Sequence, residues 1–129
     1  MRIHVTRKLP QAALDRLYAT GWGIFVGPDE VPSRSRFLWA AGGAVGLLCL
    51  PTERIDAEAM DRCPELRVIS ACSSELDNID LEEARRRGVT VCHVPPAEPQ
   101  SEVAGYEATA LMAVDNLIAA LSDQELISG

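Results

Sequence analysis

The chain has 129 residues, 47% hydrophobic and 24% charged, which suits one globular domain and excludes a disordered polypeptide. A chain of this size buries roughly two thirds of its unfolded surface, so it can fold without disulfide staples. Its net charge of −7 opposes nucleic acid and anionic membranes as partners, since both repel an acidic surface.

The opening MRIHVTRKLP lacks the apolar core of a secretion signal, and four cysteines without such a signal read as reduced thiols. The expected compartment is the cytoplasm. RIHVT (2–6) reads as a strand, QAALDRLYATG (11–21) as a helix ending at a glycine, and WGIFVG (22–27) as a second strand. SRSRFLWAAGG (33–43) has a helical pattern. AVGLLCL (44–50) is a strand without alternation, as expected when both faces are buried. DAEAMDRCP (56–64) is a short helix closed by Pro64, LRVISA (66–71) a strand, LEEARRRG (81–88) a helix and VTVCHV (89–94) a strand. This alternation predicts an α/β domain over 1–94: a five-stranded parallel sheet in a three-layer, flavodoxin-like or Rossmann-like arrangement.

PPAEPQ opens a proline-rich connector, residues 95–101, and residues 102–126 read as one long helix. If 102–122 are helical they span about 30 Å. Val103, Ala110, Val114, Leu117 and Leu121 form one apolar stripe, which Leu111 and Ile118 broaden. A helix so apolar must be buried. A small domain covers one of its faces, so another domain or a homodimer through helix 102–121 is expected to use the rest. AAGGAVGLLCLP (40–51) is too short to span a bilayer, and Glu107 and Asp115 argue against a span in the long helix.

In an open parallel sheet, ligands bind beyond the carboxyl ends of the strands. Those ends bring Arg7 and Lys8, the segment 49–52, the loop ACSSELD (71–77) and Cys92-His93 to one edge. Asp80 is expected to cap the helix that begins at Leu81, with Glu82 and Glu83 in its favourable first turn. Asp77 and Asn78 would form an Asx-type turn. That leaves Cys72, Ser73, Ser74 and Glu75 as candidate substrate-binding residues, joined by Arg7 as an anion-attracting group. Glu75, Asp77 and His93 are the candidate catalytic acid/base groups, because a general base at His93 needs a carboxylate partner and either acid can supply one. Against this stands the plainer reading of His93 as a structural hydrogen-bonding group. Cys49, Cys72, Cys92 and His93 fit no compact zinc spacing, so no metal is expected and the cysteines read as small core residues. No G-x-G-x-x-G, G-x-x-x-x-G-K-[ST], G-x-S-x-G, H-E-x-x-H or C-x-x-C occurs, so no cofactor site is expected in this chain.

VTRKLPQAALDRL, GLLCLPTERIDAEAMDRCPELRVIS and LDNIDLEEARRRGVTVCHVP resemble the N-terminal part of the D-isomer-specific 2-hydroxyacid dehydrogenases. That group includes phosphoglycerate, glyoxylate and phosphite dehydrogenases, and the resemblance runs the length of the chain. It implies a flavodoxin-like substrate domain, completed in the family by a returning C-terminal segment. An inserted Rossmann domain there carries the NAD glycine motif and the catalytic arginine, glutamate and histidine. Those residues would lie beyond Gly129, so none transfers to a position here. One feature does transfer. In the family, a small residue and a glycine after the fourth strand offer backbone amides to the substrate carboxylate, and they correspond to Ser74 and Glu75. Like charges 4 Å apart repel by roughly 4 kcal/mol in a near-surface dielectric. A glutamate in place of the glycine therefore opposes the anion. The family's V-A-E reads Val103-Ala104-Gly105, and an arginine pair reads Asn116-Leu117.

Three functions follow as expectations. The first is a truncated substrate-domain half, without an NAD site and unable to transfer hydride alone, where NAD enters only with a separate Rossmann domain. The second is a repurposed acid/base enzyme of cyclase, isomerase or dehydratase type acting on a small molecule, which the departures at Glu75, Gly105 and Asn116 favour. The third is a docking subunit for a separate chain.

Overall fold

The computed structural model describes residues 1–95 and 102–128, and side chains within 1–95 and 105–123. Most of the connector 95–101, and the Val103 side chain, lie outside the described residues. Ten elements alternate along the chain: β1 (Arg2–Val5), α1 (Gln11–Tyr18), β2 (Gly23–Val26), α2 (Arg34–Ala40), β3 (Gly46–Cys49), α3 (Ala57–Asp61), β4 (Val68–Ala71), α4 (Leu81–Arg86), β5 (Thr90–Cys92) and α5 (Glu102–Ser128). All strand pairings are parallel, in the order β2-β1-β3-β4-β5. The fold is thus the predicted flavodoxin-like α/β architecture, with every expected element present; β1 to β5 and α1 to α4 end up to three residues inside the expected bounds, while α5 runs two residues beyond them.

The pleat divides the core into two layers. On one side Ile3, Val5 and Leu48 meet Leu14 and Leu17 of α1 and Ala110, Val114, Leu117 and Leu121 of α5. On the other, Leu47, Cys49 and Ile69 meet Phe37 of α2, Met60 of α3 and Ala84 of α4. β3 and β4 are buried at every residue, which is why β3 reads as an unbroken apolar run.

The long helix is therefore one wall of the domain. Four of its five stripe residues are fully buried: Ala110, Val114, Leu117 and Leu121. The Ser70 hydroxyl donates to the Ala113 carbonyl at 2.7 Å, and Asp115 pairs with Arg16 of α1 at 2.8 Å. Close approach needs Gly46, where a Cβ would lie 3.0 Å from Ile3 Cδ1 and 3.1 Å from Leu117 Cδ1. The opposite face of α5 shows Met112 to solvent, whereas Tyr106, one turn before Ala110, stands at the exposed end of the inner stripe. No described helix is long and apolar enough to cross a membrane.

Candidate functional site

The strand order reverses at β1, which pairs with β2 on one side and β3 on the other. A crevice is expected beyond the carboxyl ends of β1 and β3. The residue at that place is Glu53, 3% exposed, which the sequence analysis did not single out. Its carboxylate accepts from the Thr6 and Thr52 hydroxyls and, at 3.4 Å, from the Leu50 amide. A buried carboxylate needs such donors to offset its desolvation. Glu53 thereby ties the β1–α1 loop to the loop after β3.

Asn78 ties the next pair of loops. Its side-chain amide donates to the Leu50 carbonyl at 3.1 Å and the Glu53 carbonyl at 2.7 Å. The Ile55 amide donates to the Asn78 carbonyl and the Asp80 amide to the Ile55 carbonyl, a short parallel bridge between the loops after β3 and β4. This corrects the expected Asx-type turn: Asn78 spends its side chain on the neighbouring loop, because tertiary acceptors lie within reach. The cap at Asp80 holds, its carboxylate accepting from the Glu83 amide at 3.0 Å. In D-N-I-D, then, Asn78 is the tie, Ile79 enters the core and Asp80 caps α4.

The loop before this tie carries the candidate ligand residues. The Cys72 side chain points into the α1/α5 core, where burial pushes its thiol up to about 11, so only its backbone faces the edge chemistry. The Ser73 hydroxyl accepts the Glu75 amide at 3.0 Å, and the Ser73 carbonyl accepts the Val94 amide at 3.1 Å. Of the two amides that the resemblance implies as a carboxylate seat, Glu75 N–H is thus occupied from within. Ser74 N–H makes no hydrogen bond among the described residues. Ser74, Glu75, Asp77 and His93 are exposed. The fold brings the β4 loop beside the end of β5, but no hydrogen bond or ion pair joins the side chain of His93 to Glu75 or Asp77. The His93 carbonyl accepts from the Asn116 side chain at 3.1 Å, so Asn116 anchors α5 to the end of β5.

Arg7 reaches across the edge to the Asp29 carbonyl at 2.6 Å, while its Nε is buried without a partner. Tyr106, also not singled out from the sequence, donates to the Lys8 carbonyl at 3.4 Å. Burial raises its phenol, and the nearby Cys72 adds to the shift. The other cysteines are dispersed: Cys49 and Cys63 lie in the α2/α3/α4 layer and Cys92 packs on the α1/α5 layer. Burial pushes the Cys49 thiol up to about 12. Among the described residues, no three His, Cys, Asp or Glu side chains stand together as metal ligands.

Comparison with known proteins follows the same outline. The catalytic-domain model of the D-isomer specific 2-hydroxyacid dehydrogenases matches residues 3–128. Glyoxylate reductase of Thermofilum pendens is 40% identical over 95 residues, which are 73% of this chain and 28% of that protein. That of Thermococcus gammatolerans is 33% identical over 96 residues, with the same coverage. Among solved structures, TT0316 protein from Thermus thermophilus is 45% identical with a TM-score of 0.71, over 74% of this chain and 30% of the other. PH0520 protein from Pyrococcus horikoshii is 32% identical with a TM-score of 0.63, over 70% and 26%. The chain spans less than a third of the length of the curated relatives it matches.

Proposed function

The chain belongs to the D-isomer specific 2-hydroxyacid dehydrogenase family, and from that premise we propose that residues 1–129 serve as its substrate-side portion. In this reading the loop after β4 offers a weakened carboxylate seat, and hydride transfer requires a separate dinucleotide-binding domain. The observation that carries it is the family match over 3–128 in a sequence with no glycine-rich phosphate loop.

Local geometry supports the same view. A pyrophosphate-binding turn needs glycines and free amides between the first strand and its helix. The β1–α1 loop reads T-R-K-L-P, its Lys8 amide is spent on the Pro28 carbonyl, and Leu9 is buried. These residues do not fit NAD. At the β4 loop, a carboxylate arriving at the Ser74 amide meets the Glu75 charge. Because Glu75 is exposed, the repulsion falls toward the bulk-water value of about 1 kcal/mol at 4 Å rather than about 4.

The test uses the purified chain with glyoxylate and oxalate. The expected result is no oxidation of NADH or NADPH in the presence of glyoxylate, and weak oxalate binding that Glu75→Gly tightens about fivefold by calorimetry. Cofactor consumption above the protein-free blank would overturn the first half. Unchanged oxalate affinity in Glu75→Gly would overturn the second.

A further inference from the structure

On the face opposite α1 and α5, a groove of about 660 Å³ runs between α2 and the edge strand β2. Phe25, Phe37 and Trp39 line it, with Phe25 53% and Trp39 77% exposed. His4 also lines it, 2% exposed, its ring 6.4 Å from that of Phe37. The His4 Nδ1 is buried and has no hydrogen-bond partner. Buried polar atoms are ordinarily satisfied, so one left over beside an open groove points to a missing partner.

The charge around the groove runs against that of the chain. Arg36 lines it, and the Arg2 guanidinium stands 4.6 Å from the Phe25 ring centre. Neither side chain makes a hydrogen bond or ion pair among the described residues, whereas Arg34 is matched by Asp56 and Glu58. No carboxylate lines the groove. Two unmatched guanidinium groups beside an aromatic wall, in a chain of net charge −7, make a locally cationic aromatic surface. Guanidinium groups recognise carboxylates and stack on flat rings.

We infer that this groove is a second ligand site, which takes a flat aromatic carboxylate of small-molecule size. Charge complementarity assigns the carboxylate to Arg36, and the aromatic wall receives the rings. The volume falls in the range of small-molecule pockets. The site is distinct from the β4 loop and does not depend on the function proposed for it.

The probe is 2-naphthoate, with neutral 2-naphthylmethanol as its twin, each titrated into the full chain by amide and indole NMR. Naphthoate is expected to give saturable shifts at Phe25, Arg36 and the Trp39 indole, and to bind at least fivefold tighter than the alcohol. Arg36→Gln should erase that difference while leaving alcohol binding intact. Phe25→Ala, at a half-exposed position, should abolish both, with folding checked by circular dichroism; if it unfolds, Arg36→Gln carries the test. Equal affinity for the two probes, or shifts confined to residues 73–75, would overturn the inference. So would saturation by an acidic aromatic peptide but not by naphthoate, which would make the groove a polypeptide seat.

Discussion

At the scale of single residues, burial governs the chemistry of His4. Desolvation, aided by the positive charge of Arg2, lowers its pKa to about 4 from an ordinary 6.5. The unfolded chain therefore binds a proton between pH 6.5 and 4 that the folded chain refuses. Stability contributed by neutral His4 is complete above pH 6.5 and is lost as the pH falls toward 4. Between pH 6.5 and 5, above the ordinary carboxylate range, the expected loss is about 2 kcal/mol. Urea unfolding across that interval should show it, and His4→Leu should flatten the profile; an unflattened profile would place the titrating group elsewhere. Glu53 illustrates the opposite solution, a buried carboxylate kept among three donors. Neither role was legible in the sequence. A histidine in the middle of R-I-H-V-T looks like any strand residue. T-E-R looks like a polar turn until β1 delivers Thr6 to it.

At the scale of elements, local signals and packing agree. Asp80 caps α4 as its place before Leu81 predicts, and the apolar run of β3 becomes the fully buried central strand. Asn78 shows where local reasoning stops, because its two acceptors lie more than twenty residues away in sequence. The packing of α5 on β3 makes a sharper prediction. A methyl group at residue 46 would sit 3.0–3.2 Å from the side-chain ends of Ile3, Leu117 and Leu121. Overpacking a core costs about 1–3 kcal/mol, and replacing a strand glycine regains 0.5–1 of that by about the usual propensity gain. Gly46→Ala should therefore destabilise the chain by about 1 kcal/mol in urea unfolding. A stabilised variant would mean that α5 does not press on β3 as described.

At the scale of the whole molecule, α5 decides which surfaces remain. Its inner face is used within the domain, so the homodimer expected through helix 102–121 is left with the outer face, where Met112 is exposed. We propose that pairing uses this face. Sedimentation at high micromolar concentration should show a dimer that Met112→Glu converts to monomer, and a monomeric wild-type chain would refute it. Partial exposure of large apolar side chains also marks the α2–β2 groove, on the other side of the sheet.

By itself the sequence determined the class of fold, the order of its elements and the family. Those properties reside in local periodicity, caps and contiguous strings. Only the tertiary structure decided that Glu75 N–H is held by Ser73, that Glu53 fills the switch point between β1 and β3, and that an aromatic groove with unmatched arginines lies beside β2. Parallel strands are joined by long crossovers, so the residues that meet at their ends are distant in sequence and leave no spacing to read.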